Sequence, residues 1–145
     1  MGVRRTGERR SSELLHRAPN STGVGASISY RGSLSRIADR FRLRVEDLPP
    51  NELTVFHYGS ARTTLPFFDG YACVAGRRFR LPPENSGAEG IAEHELDLRA
   101  PPASTGAGAI RPGVRWYFQA WYRDLGGPGG TGANLTDGLA VTFCR

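Results

Sequence analysis

The chain has 145 residues, 39% hydrophobic, with 19 Gly and 10 Pro, a balance that suits one all-β domain with many turns better than a helical bundle. No apolar run reaches the ~18 residues of a membrane-spanning helix. The formal charge of +5 is carried by arginine alone, and residues 1–17 hold a net +3 of it (five Arg against Glu8 and Glu13), leaving only +2 for everything after.

Residues 1–19 lack strand alternation and lack the continuous apolar segment of a secretory signal, so a disordered Arg-rich tail is expected there, ahead of a module over residues 20–145. From Ala26 the pattern changes. Ile28 and Tyr30 alternate with serine, and a bulge is expected at Gly32. Phe41, Leu43 and Val45 point inward from a clean strand whose outer face carries Arg42, Arg44 and Glu46. Pro49-Pro50-Asn51 ends it. Residues 53–58 read as a central strand closed by Gly59-Ser60, with a short strand over 64–66. Asp69-Gly70 signals a turn, and residues 71–74 and 77–81 flank Ala75-Gly76 like a hairpin. Residues 82–90 read as loop; Ala92, His94, Leu96 and Leu98 then alternate with Glu93, Glu95, Asp97 and Arg99 as a half-buried strand.

After a loop of small residues and proline comes the stretch on which the core is expected to rest, residues 113–124. It contains both tryptophans; Val114, Trp116, Phe118, Ala120 and Tyr122 share the inward face, and Arg115, Tyr117, Gln119, Trp121 and Arg123 the other. A Gly-rich loop over 126–133 follows, and Leu139, Val141 and Phe143 form the closing strand. About eight to ten short strands with turns every ~8–12 residues predict a single antiparallel β-sandwich, jelly-roll or immunoglobulin-like.

Several residue types that carry chemistry find no chemical context. Two cysteines cannot complete a zinc site, and no Gly-x-Ser-x-Gly elbow occurs. His16, His57 and His94 are scattered, the latter two beside apolar neighbours as core imidazoles would be. Glu93, Glu95 and Asp97 resemble paired carboxylates, yet their alternation with apolar partners makes them a solvated face. Asp124, Asn134 and Asp137 around the Gly-rich loop offer oxygen ligands for calcium, but their spacing matches no calcium loop and turn hydrogen bonding is the expected use. Asn20-Ser-Thr and Asn134-Leu-Thr match the glycosylation sequon. Arg42, Arg44, Arg77, Arg78 and Arg80 form either a basic stripe or a solvated strand face. Tyr117 and Trp121, opposite the core face, are the candidate ligand-binding pair, able to stack on sugar rings unless a neighbouring element covers them.

Asn20-Ser-Thr-Gly23, Asp69-Gly-Tyr-Ala-Cys-Val-Ala-Gly76, Trp116-Tyr-Phe-Gln-Ala-Trp-Tyr-Arg-Asp124, Asn134-Leu-Thr-Asp-Gly138 and Phe143-Cys144 stand in one order. In that order they resemble an uncharacterised β-rich module at the C-terminal end of large secreted bacterial proteins. In similar modules a Tyr-Cys pair precedes Asn-Ser-Thr-Gly, where this chain has Leu15-His16-Arg17. The resemblance implies a secreted or surface location as part of a longer parent. An even cysteine count in a module of that kind implies a Cys73–Cys144 disulfide, worth about 4 kcal/mol if formed, against the alternative of two small buried side chains. The expectation is therefore a non-catalytic accessory, binding or structural module, with no cofactor and with a surface protein or glycan as partner. The alternatives are a small hydrolase with an unrecognised site and an arginine-tailed nucleic-acid binder.

Overall fold

Alternation obliges each strand to bury one face, and in the computed structural model those faces meet between two antiparallel sheets. The structure describes residues 17–145. His16 and residues 1–16 of the expected tail lie outside the described residues. The smaller sheet has the order β1-β2-β6, with β1 at Ser27–Gly32, β2 at Phe41–Glu46 and β6 at Ala92–Leu96. The larger has the order β4-β3-β7-β8, from β3 (Leu53–Phe67), β4 (Gly70–Arg80), β7 (Arg115–Arg123) and β8 (Ala133–Leu135). Two short strands complete it: β5 (Glu84–Asn85) pairs with β3 and β9 (Leu139–Thr142) with β7. This is the all-β sandwich that the strand spacing predicts.

The core is a chain of rings that crosses from sheet to sheet. Phe41 of β2 stacks on Tyr30 at 5.4 Å and meets Phe143 at 4.8 Å and Phe118 of β7 at 5.6 Å. Phe118 in turn lies 5.2 Å from Tyr58, which contacts Trp116 at 5.1 Å and Phe79 at 5.4 Å. Offset and edge-on pairs of this kind add to the area that the rings bury. The loop of small residues before β7 closes one end of the core. Its Ala103 and Ile110 are buried, and the Tyr58 hydroxyl donates to the Gly108 carbonyl at 2.7 Å. A Cβ on Gly108 would come within 2.9 Å of the Phe79 ring, which is why a glycine stands there.

Three local expectations are corrected. Gly59-Ser60 does not end a strand, because β3 runs through it to Phe67. Gly59 is there to admit β4: a Cβ would sit 2.7 Å from Val74 and 2.9 Å from the Ala75 carbonyl. Ala75-Gly76 is likewise no turn but the interior of β4. Register shifts between Gly59 and Ala61 and between Arg62 and Leu65 mark β-bulges, and the hairpin turns at Phe68 and Asp69. Val114 lies outside β7 and is 42% exposed, so the inward row begins at Trp116.

Trp116 is buried and its indole Nε1 has no hydrogen-bond partner, so its contribution is apolar. Trp116→Ala should cost about 3–5 kcal/mol, as large aromatic core deletions do. In single-tryptophan variants made by Trp116→Phe and Trp121→Phe, acrylamide should quench Trp121 and spare Trp116; the reverse order would mean that the two faces of β7 are exchanged.

Candidate binding groove

The outward face of β7 determines what lies above the larger sheet. Gln119 sits there fully buried, although its row neighbours Arg115 and Arg123 are exposed. Its cover is the far half of the β3–β4 hairpin, which the two bulges bend back over β7 and β8. Gln119 Oε1 accepts from the Cys73 N–H at 2.9 Å, and its Nε2 donates to the Tyr71 carbonyl at 2.8 Å and the Thr136 carbonyl at 2.6 Å. The Asp69 N–H donates to the Ala133 carbonyl at 3.1 Å, which ties the turn to β8.

The Gly-rich loop then wraps the Asp69 side chain. Asp69 Oδ1 accepts from the Thr131 hydroxyl at 2.7 Å and its N–H at 3.1 Å, and Oδ2 from the Gly129 N–H at 3.2 Å. These bonds, the Thr131 hydroxyl foremost, hold the Asp69 carboxyl below its ordinary value. A Cβ on Gly129 would fall 2.3 Å from Asp69 Oδ1, so the loop is glycine-rich in order to approach that carboxylate.

Between the bent hairpin and the sheet runs a groove of about 430 Å³. Its apolar surface comes from Leu53 and Val55 of β3, Trp121 of β7 and Leu135 of β8. Phe67 and Phe68, about half exposed and 4.5 Å apart, form the hairpin side, with Phe68 6.1 Å from Trp121. Arg78 and Arg80 of β4 and His57 of β3 complete the lining. His57 is pushed down to about 4 by its burial first, then by the charge of Arg78, and it is neutral at physiological pH. The groove's charge is therefore that of its two arginines.

Of the candidate ligand-binding pair, Trp121 lines this groove and Tyr117 does not. Tyr117 is half-buried between Gly59 of β3 and Ala140 of β9, away from the groove. Neither Phe67 nor Phe68 stands out in the sequence as a binding residue, because a tight hairpin places them at a tip and only the bend brings them over Trp121.

The five arginines do not form one stripe. Arg42 and Arg44 lie on the smaller sheet, where Arg44 meets Glu93 at 2.7 Å and Glu46 at 2.8 Å and Arg42 meets Glu95 at 3.4 Å. Arg77, Arg78 and Arg80 belong to the larger sheet. Glu93 and Glu95 are thus cross-strand ion-pair partners. His94, 11% exposed at its side chain, holds Glu84 at 2.7 Å through Nδ1 and packs 6.1 Å from the Phe56 ring, joining β5 to β6.

The disulfide is corrected: Cys73 and Cys144 are free thiols. Cys73 is buried where the hairpin crosses Gln119, whereas Cys144 is exposed and bonds through its backbone to Leu34 and Arg36 at the loop after β1. Burial pushes the Cys73 thiol up to about 11, which makes it a poor nucleophile.

Asp124, Asn134 and Asp137 anchor the start of the module. Asp124 accepts from the Ser21 N–H at 2.9 Å, and Asp137 from the Ile28 N–H at 2.8 Å. The Asn134 amide donates to the Pro19 carbonyl at 3.1 Å and accepts from the Leu135 N–H at 2.7 Å. Asn20 works the same way, donating to the Asp47 carbonyl at 2.9 Å and the Tyr122 hydroxyl at 3.0 Å. Both sequon asparagines are buried with their amides engaged, so neither presents a nitrogen to a glycan-transferring enzyme. Among the described residues no group of three or more His, Cys, Asp or Glu is placed to hold a metal ion, and no helix is long and apolar enough to cross a membrane.

No family model matches the sequence, and no curated protein matches it. The fold is similar to the crystal structure of a tetra-tandem repeat in the extending region of a large adhesion protein. That match has 16% identity and a TM-score of 0.49, and it covers 81% of this chain and 24% of the other. The chain therefore spans about a quarter of that structure's length.

His57 yields a test of the buried wall. Its folded value, about 4, lies below its ordinary 6.5, so between these the unfolded chain binds more protons. The stabilisation is complete above pH 6.5 and declines as pH falls toward 4, by about 3 kcal/mol over the window. Denaturant unfolding of the wild type against His57→Gln should show this extra slope only in the wild type; parallel pH profiles would place His57 in water.

Proposed function

We propose that the chain is a non-catalytic accessory module that binds its partner through the groove under the β3–β4 hairpin. The observation that carries this reading is a preformed concavity in which Trp121, Phe67 and Phe68 present ring surface beside two arginines. A half-exposed aromatic cluster of this kind is costly to leave facing water and is characteristic of a recognition surface. The two described histidines have structural tasks: His57 is neutral and buried against the sheet, and His94 clamps Glu84. Neither His94 nor Glu84 lines the groove. A glycan is the partner that suits Trp121 best, since a sugar's C–H face stacks on an indole while its edge takes hydrogen bonds. Location in a secreted or surface bacterial parent is the part of the proposal that rests on the motif resemblance.

The test is a glycan array probed with the chain, followed by Trp121→Ala. The variant should keep its thermal midpoint within a few degrees, because Trp121 is only half-buried and lies outside the core between the sheets, and should weaken every array hit by about tenfold or more. Tyr117→Ala should leave the hits unchanged. Hits that survive Trp121→Ala would remove the groove as the binding site.

A further inference from the structure

Resting on the reading of the groove as a binding site, we infer that its ligand is a carboxylated sugar, a uronic or sialic acid unit of an anionic glycan. The groove has uncompensated charge of one sign. Arg78 and Arg80 are exposed, two residues apart on β4, and both line it. Among the described residues neither is within ion-pairing distance of an acid, while Arg42, Arg44 and Arg99 each meet a carboxylate. No carboxylate lines the groove. Two like charges beside an apolar floor repel each other, and an anion seated between them relieves that repulsion. The guanidinium fork is matched to a carboxylate, which it takes through two parallel hydrogen bonds.

The apolar part selects the rest of the ligand. A flat C–H face against Trp121 and Phe68, with an acid on the ring's edge toward β4, is the shape of an acidic pyranose. A volume of about 430 Å³ is at the small end of ligand sites and fits one or two rings. Single-stranded nucleic acid also combines rings with anions, but it needs a cationic track along several nucleotides. The groove itself is lined by two arginines, Arg78 and Arg80, while Arg77 lies over the Phe79 ring at 5.4 Å and Arg42 and Arg44 are paired with glutamates on the other sheet.

The experiment titrates the 145-residue chain with tetragalacturonate and sialyllactose and with their neutral counterparts cellotetraose and lactose. Calorimetry and tryptophan fluorescence are the readouts. At least one acidic probe should bind about tenfold or more tighter than its neutral counterpart, with an advantage that shrinks as salt is raised. The double variant Arg78→Gln, Arg80→Gln should lose that advantage, retain the thermal midpoint and keep the fluorescence response to the neutral sugar. Equal binding of acidic and neutral sugars would overturn the inference and leave the groove as a binding site. Binding of none of the four would overturn both. A thymidine oligonucleotide that binds more tightly than every sugar would overturn the inference in favour of single-stranded nucleic acid.

Discussion

The side chain of Gln119 holds the outer half of this protein in place. It projects from the strand that also carries the core, but on the opposite side, where a polar residue is ordinarily wet. Instead it is fully buried and bonded to Cys73, Tyr71 and Thr136, so its carbonyl and its amide are both satisfied. A buried amide so bonded contributes modestly while intact, and leaves several unpaired groups if removed. Together with the contacts of Asp69 to β8 and the Gly-rich loop, it keeps the far half of a long hairpin from standing as a two-stranded ribbon in water, which is marginal on its own. With it, that half becomes a roof, and the space beneath the roof is the groove.

Period-two alternation made the inward faces of β2 and β7 legible, and with them the sandwich itself: Phe41, Leu43, Val45, Trp116, Phe118, Ala120 and Tyr122 are all buried as read. The roof was not legible. Gly59-Ser60 and Ala75-Gly76 look like turns because glycine usually breaks a strand, whereas here Gly59 lets β4 approach and Gly76 sits at φ 76° within β4. Those two misreadings hide a 15-residue strand and its 11-residue partner, and therefore hide the bend. Trp121 was recognisable as a candidate because it stands on the mixed face of an aromatic strand. Its partners Phe67 and Phe68 come from a hairpin tip, and long-range placement of a tip leaves no local periodic signal.

The motifs that look most like chemistry turn out to be ties. Asn-Ser-Thr and Asn-Leu-Thr read as glycan acceptors, yet Asn20 and Asn134 are interior hydrogen-bonding posts. Asp124 and Asp137 carry the oxygens that a calcium loop would use, but hydrogen bonding is their expected role, and they receive backbone N–H groups from Ser21 and Ile28. A polar residue next to glycine is ambiguous in sequence because a turn, a metal loop and a buried tie all require short, oxygen-bearing side chains. Only the identity of the partner distinguishes them, and each of these four residues has a hydrogen-bond partner distant in sequence.

That distance has a kinetic meaning. Asn20 meets Tyr122 across 102 residues and Ile28 meets Asp137 across 109, so each tie closes a loop spanning most of the module. The entropy of such closure is repaid only once the strands between have paired, which places these ties late in assembly. Interactions formed after the transition state slow unfolding and leave the folding rate nearly untouched. The buried asparagines and aspartates therefore act as latches: they contribute little to how fast the sandwich assembles and much to how long it stays closed.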